Sequence, residues 1–254
     1  MYKTPLVIAQ RGDVENAPEN TLSAFESAII KGADGLEFDV HFSTDEELVV
    51  HHFYNLGTTD NGKGLVNEHT LAQLKALDSG SWFDVKFAGE SKPTLSEVFE
   101  KYKGRTRFEV DMKGSSRDFL VKVIREIERF ELINDVELTT AHYPLLVHAK
   151  RLNPQVRIGT FFYQPPDWMP IYLAQEHTLD WAQLLDIDVV HLNLSLITKE
   201  FTEKLHDHGF IVYSSNLDSA EEIKRGLELG IDSFSTNHLG LALQLRDKFI
   251  ASRS

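Results

Sequence analysis

The chain is predicted to fold as a single α/β domain, a (β/α)8 TIM barrel with a small insertion after an extended hairpin on its second strand. Three observations carry this reading. The 254 residues suffice for one undivided barrel. Short apolar runs of strand character alternate with segments of helical spacing along the whole chain, and setting aside one hairpin arm leaves eight strands. Polar residues gather where those strands end: Gln10-Arg11, Glu37 and Asp39, Asp111-Met112-Lys113, Ser214-Ser215-Asn216 and Thr236-Asn237-His238. The C-terminal ends of the strands are where such barrels place their sites.

In order, Leu6-Val7-Ile8-Ala9 is an unbroken apolar run, as expected of a strand buried on both faces, and Gln10-Arg11-Gly12 ends it. A polar loop over 13–20 follows. Thr21 to Ile30 then has helical spacing, with Leu22, Phe25, Ala28 and Ile29 apolar, Asn20 placed as its N-cap and Gly32 as its stop. Gly35 to Val40 is the second strand. Ser43-Thr44-Asp45-Glu46 is a turn signal, and the strand Glu47 to His51 comes too soon for a crossover helix, so it should pair antiparallel.

Residues 52 to about 92 show little strand character and one short helix near Leu71 to Leu77; they form the insertion. Ser96 to Tyr102 is helical. Strands are then expected at 107–111, 136–140, 156–161, 188–192, 210–213 and 231–235, with helices at 118–129, 144–150, 179–185, 198–207, 220–229 and 241–249. No repeat, linker or low-complexity segment divides residues 1–254.

The net charge of −13 argues against nucleic acid or an anionic membrane surface as a bulk partner, and it requires a local cation wherever an anion is held. With no cysteine, disulfides, zinc–thiolate sites and thiol nucleophiles are excluded. Met1-Tyr2-Lys3-Thr4-Pro5 leads into an apolar run too short for a secretion signal, and no run approaches a membrane span. A cytoplasmic location is therefore expected if Met1 is native. A homo-oligomer is left open.

Within Gly35-Leu36-Glu37-Phe38-Asp39-Val40 the two acids are two residues apart in a strand and share a face. Neighbouring carboxylates repel and lose solvation, and a divalent cation relieves both costs; a solvated strand face is the plainer alternative.

With these residues in view, the chain resembles the glycerophosphodiester phosphodiesterase family. The matching pieces are Arg11-Gly12, Ala17-Pro18-Glu19-Asn20-Thr21, residues 32–40, Val49-Val50-His51-His52, Asp60-Asn61-Gly62-Lys63-Gly64, Pro93-Thr94-Leu95 and Asp111-Met112-Lys113-Gly114, with weaker echoes at 212–216 and 230–237. They run in order over nearly the whole chain. The resemblance implies a barrel with a small insertion, a divalent metal, magnesium or calcium, and hydrolysis of a small-molecule glycerophosphodiester to glycerol 3-phosphate and an alcohol.

It also implies roles. Glu37, Asp39 and Asp111 would be the metal ligands, although the family usually has Glu at the third position. Arg11 would bind phosphate. Lys113, on the same face as Asp111, can pair with a phosphate oxygen or serve only as that acid's structural partner. Asn20 matches a family position, and helix capping explains it equally well.

The family carries catalytic histidines in a His-Arg and a His-Asp motif. This chain has Gln10-Arg11 and His52-Phe53, and Thr58 stands where a further Arg is usual. A Gln amide holds a hydrogen bond but exchanges no proton near neutral pH, and losing one positioned proton carrier costs about 10²–10⁴-fold in rate. Phe53 removes a carboxylate that could orient His52. His51 should alternate to the opposite face, whereas His142, His191 and His238 are at strand ends, where a structural histidine is the plainer reading.

Three functional readings follow: an impaired metal-dependent phosphodiesterase, a barrel that binds phosphodiesters without turning them over, and a family variant with departures introduced deliberately. The aromatic stretch Phe161-Phe162-Tyr163 with Pro165-Pro166-Asp167-Trp168 is expected as a packed loop after the fifth barrel strand, with an alcohol pocket as its alternative role. Trp82 and Phe83 either cover the mouth or form the insertion's own core.

Overall fold

The computed structural model describes residues 4–253. Met1, Tyr2, Lys3 and Ser254, part of the expected domain, lie outside the described residues. The strands are β1 (Leu6–Gln10), β2 (Gly35–Phe42), β3 (Leu48–Val50), β4 (Arg107–Met112), β5 (Val136–Thr139), β6 (Arg157–Phe162), β7 (Val189–Leu192), β8 (Ile211–Ser214) and β9 (Ser233–Thr236). All neighbours pair in parallel around the ring, and β1 closes it by pairing with both β9 and β2. The exception is β3, which runs antiparallel to the projecting end of β2, His41 opposite Val49. The eight-stranded parallel barrel and its second-strand hairpin are as expected.

The helices are α1 (Leu22–Lys31), α2 (Leu71–Lys75), α3 (Leu95–Tyr102), α4 (Arg117–Arg129), α5 (Tyr143–Leu152), α6 (Ile171–Leu184), α7 (Lys199–Asp207), α8 (Ala220–Glu228) and α9 (Leu239–Ala251). Among the described residues no helix is long and apolar enough to cross a membrane. α4 shows how the sequence sets one: Ser116 accepts from the Phe119 N–H as N-cap, and Phe119, Leu120, Val123, Ile124 and Ile127 form the buried stripe.

α6 begins at Ile171, eight residues earlier than the helix expected over 179–185. Ile171, Tyr172, Trp181 and Leu184 on it are exposed, which blurs the periodicity that normally reveals a helix. β6 likewise runs one residue further than expected, because Phe162 still pairs with Leu192.

Strand alternation separates two environments. In β2, Leu36, Phe38 and Val40 point outward, where Phe38 meets Phe25 of α1 at 5.5 Å and Phe108 of β4 at 6.2 Å between ring centroids. This shell between strands and helices is the main core, and each such ring contributes about 1.5–3 kcal/mol by burial. Glu37 and Asp39, of opposite parity, turn into the barrel. The interior carries a small apolar floor of Ile8, Val189 and Tyr213, and above it polar groups.

His191 is buried there, with Nε2 2.6 Å from Glu137 Oε1. Gly159 makes room for that pair: a Cβ at this position would sit 2.4 Å from Glu137 Oε1 and 2.8 Å from His191 Nε2. Gly159→Ala should therefore destabilise the fold by roughly 1–3 kcal/mol. Thermal unfolding followed by circular dichroism should show a drop of several degrees; an unchanged midpoint would refute the packing argument.

Between β3 and α3 the chain leaves the barrel and returns beside it, with the Val50 N–H donating to the Pro93 carbonyl. Val49, Leu56, Val66 and Leu74 give this segment a core of its own. Trp82 and Phe83 pack edge to face at 5.8 Å, and Phe83 packs on Phe87, so they belong to the segment's own packing.

Candidate active site

Three carboxylates meet at the barrel mouth. Asp39 and Asp111 are register partners on β2 and β4, and Glu37 is two residues before Asp39 on the same inward face. Ligand oxygens of Glu37, Asp39 and Asp111 all lie within 4.8 Å of one another. Alternation in the sequence paired Glu37 with Asp39 and the resemblance named Asp111; the β2–β4 register brings Asp111 beside Asp39.

Each acid is held differently. Burial raises the Glu37 carboxyl well above its ordinary value, and Asp39 and Glu109 raise it further. Burial also pushes against ionisation of Asp39, but Lys113, His52, Arg11 and Asn20 outweigh it and hold that carboxyl below its ordinary value. Asp111 is raised, with burial prevailing over the nearby Lys113. Lys113 Nζ is 2.7 Å from Asp111 Oδ2 and 2.9 Å from Asp39 Oδ1, so the ammonium bridges two of the three acids.

Arg11 follows β1 with a positive φ of 55°, and its N–H donates to the Glu37 carbonyl and to Glu37 Oε2. Its guanidinium reaches Glu19 at 3.2 Å and Asp39 at 3.7 Å. Asn20 (φ 58°) and Asn216 (φ 56°) are in the same left-handed region, and such strained residues concentrate at functional sites.

Asn20 corrects an expectation. Thr21 is the N-cap of α1, accepting from the Ala24 N–H. This leaves the Asn20 amide to donate to Asp39 Oδ2 at 2.9 Å. The side chain that looked like a cap orients a carboxylate.

Gln10 and His52 face the same pocket, a cavity of about 280 Å³ that also holds Arg11, the three acids, Lys113 and, on its far side, Ser215, Asn216 and Ser235. Gln10 Oε1 and His52 Nδ1 are both buried without a protein hydrogen-bond partner. The His52 ring packs edge to face on Phe53 at 4.4 Å. Burial lowers His52 below its ordinary value despite the nearby Asp39. His51 does turn away, with Nε2 3.4 Å from the Asn55 carbonyl, and Thr58 is exposed.

The other histidines separate by environment. His191 is enclosed in the barrel against Glu137 instead of facing the mouth. His238 pairs with Glu15 at 2.9 Å and is exposed, and His142 stands at the rim of a neighbouring cavity. Sequence reasoning missed Glu109, which burial pushes up to about 7 beneath the acids. Its parity with Asp111 on β4 was the available signal. It also missed the buried ion pair of Asp60 and Lys92, separated by 32 residues.

Comparison with known proteins gives one consistent result. Residues 11–241 match the model of the glycerophosphoryl diester phosphodiesterase family. A glycerophosphodiester phosphodiesterase of Caldanaerobacter subterraneus is 34% identical, the match covering 91% of this chain and 93% of that one. One from Bacillus altitudinis is 28% identical over 95% of this chain and 98% of its own. An Oleispira antarctica phosphodiesterase solved with its product sn-glycerol-3-phosphate superposes with a TM-score of 0.84 at 25% identity, covering 96% of this chain and 97% of that one.

Proposed function

Because the chain belongs to the glycerophosphoryl diester phosphodiesterase family, we propose that residues 1–254 form one such domain, with an insertion at about 52–92, that hydrolyses glycerophosphodiesters to glycerol 3-phosphate and an alcohol at a divalent-metal site. The observation that carries this is the meeting of buried Glu37 and Asp39 with half-buried Asp111 within 4.8 Å, flanked by Lys113 and Arg11. These residues fit a hard divalent cation: all three donors are carboxylate oxygens, and burial leaves Glu37 reluctant to ionise without added positive charge.

Magnesium or calcium bound to these acids would polarise the phosphate and acidify an attacking hydroxyl or water. Arg11 and Lys113 bind the phosphate oxygens. Lys113 is already aimed into the cluster, and its bonds to Asp39 and Asp111 are the ones a phosphate would exchange. Asn20 keeps Asp39 turned toward the acids. His52 gives its proton to the departing alkoxide, and Gln10 orients without accepting a proton.

Magnesium or calcium at about 100 times its dissociation constant should stabilise the protein by about 2.7 kcal/mol, read as a rise of several degrees in melting temperature. Glu37→Ala should lose both that rise and the release of glycerol 3-phosphate. Release that persists after chelation and after Glu37→Ala would overturn the metal assignment.

A second reading has its own support in the unpartnered Gln10 Oε1 and His52 Nδ1. Here the barrel binds phosphodiesters with little or no turnover. It predicts a melting-temperature rise with glycerophosphodiester and metal and no product.

A further inference from the structure

We propose that His41 is a positioning residue for His52: its imidazole holds the His52 backbone at the point where the β2–β3 ladder is blocked, and so fixes where the His52 ring stands in the reaction pocket. The inference rests on the hydrolase reading above, in which His52 is the proton donor, and deepens it.

The need for such a residue comes from the ladder. β3 ends with Val50 opposite Val40, and the His51 N–H still donates to the Asp39 carbonyl at 3.0 Å. In this antiparallel register the next bond would run from the Phe53 N–H to the Glu37 carbonyl. The Arg11 N–H, arriving from β1, already holds that carbonyl at 2.9 Å. The chain therefore leaves the sheet at His52, whose side chain has to face the site from a backbone that no strand pairing holds.

His41 supplies the missing hold. It lies two residues beyond Asp39 on β2, in the same inward row as Glu37 and Asp39. Its Nε2 is 3.4 Å from the His52 carbonyl; a carbonyl only accepts, so Nε2 carries the hydrogen. The His41 residue is 5% exposed, and Tyr54 packs edge to face on its ring at 5.3 Å. On the other side of the same peptide, His51 is anchored separately, with Nε2 3.4 Å from the Asn55 carbonyl.

Among the described residues this is the one hydrogen bond that reaches His52. The His52 ring has only the Phe53 edge against it, and its Nδ1 has no partner. Its direction in the pocket is thus set through the backbone that His41 holds. Displacing a proton-transfer group by about 1 Å costs on the order of 10²-fold in rate. Binding of metal and phosphate, which belongs to the acids, Arg11 and Lys113, does not depend on it.

The test compares two variants of the full chain. His41→Phe keeps a ring against Tyr54 but has no N–H; His41→Gln keeps an N–H at the reach of Nε2. With glycerophosphocholine as probe in magnesium, His41→Phe should lower kcat by about 10- to 100-fold and leave KM little changed. His41→Gln should retain most of kcat. Equal loss in both variants would make His41 a packing residue and overturn the inference, as would full kcat in both. A second readout needs no turnover. In 15N-imidazole spectra the His52 signals, assigned by their absence from His52→Gln, should be sharp in wild type and His41→Gln and broadened in His41→Phe. Equally sharp signals in all three proteins would overturn the positioning role. Wild-type protein that releases no product would overturn the hydrolase reading, and the spectra would still decide whether His41 holds His52.

Discussion

The double substitution Gln10→His, Phe53→Asp should raise glycerophosphodiester hydrolysis by about 10²–10⁴-fold. Gln10 is at the end of β1, in register with Glu37, and its side-chain oxygen is buried with no protein partner. An imidazole there would point at the same pocket and could carry a proton. His52 already faces the pocket, but its Nδ1 lacks an acceptor because Phe53 offers only a ring edge. An aspartate at that position would set the tautomer that leaves Nε2 for proton transfer.

The signature of a restored base is a rate that rises with pH through about 6.5, since the imidazole accepts a proton only above its pKa. That limb should be absent from the wild-type profile. Single-turnover kinetics would separate the chemical step from product release. A double variant that binds metal and glycerol 3-phosphate yet gains no rate would show that these two positions do not limit turnover.

Lys92→Met should cost about 3–5 kcal/mol of stability, the second large effect. Lys92 Nζ donates to Asp60 Oδ2 at 2.7 Å and to Ser79 Oγ at 2.8 Å, and both side chains of the ion pair are almost wholly buried. Asp60 Oδ1 accepts from the N–H groups of Gly57 and Gly62, so the pair ties the turn at 57–62 to the strand-like exit at Lys92 and Pro93. Removing the ammonium leaves a buried carboxylate with two amide donors and only the His51 imidazole, 3.8 Å from Asp60 Oδ2, to answer its charge.

The pH dependence has a definite sign. Burial raises the Asp60 carboxyl, but the Lys92 hydrogen bond and charge and the two N–H donors outweigh it and hold it below its ordinary value. Its contribution is therefore complete above the unfolded value, about 3.9, and is lost as the pH falls through the lower folded value. Denaturant unfolding of wild-type protein and Lys92→Met across that range would show the gap closing in acid. A cost under about 1 kcal/mol at pH 7 would mean water reaches the pair in solution.

Much of the site was legible because strand geometry is periodic. Glu37 and Asp39 had to share a face, and Gln10-Arg11 had to end a strand. Where reading by local pattern failed, a distant partner had intervened. Asn20 is a good N-cap by local rules, yet Thr21 takes that position and Asn20 turns to Asp39. His191 at a strand end could have faced the mouth, but Glu137 on a non-adjacent strand holds it inside.

By itself the sequence determined the alternation of strands and helices, the inward parity of the acids and the family they resemble, because all three depend on spacing along the chain. The resemblance also named Asp111 as the third acid; only the tertiary structure decided how closely it meets Glu37 and Asp39, that Lys113 bridges two of them, and that Gln10 Oε1 and His52 Nδ1 are left without partners. Those outcomes depend on the register between β2 and β4 and on closure of the barrel by β1 against β2 and β9. Register couples residues scores of positions apart, and no local periodicity encodes it.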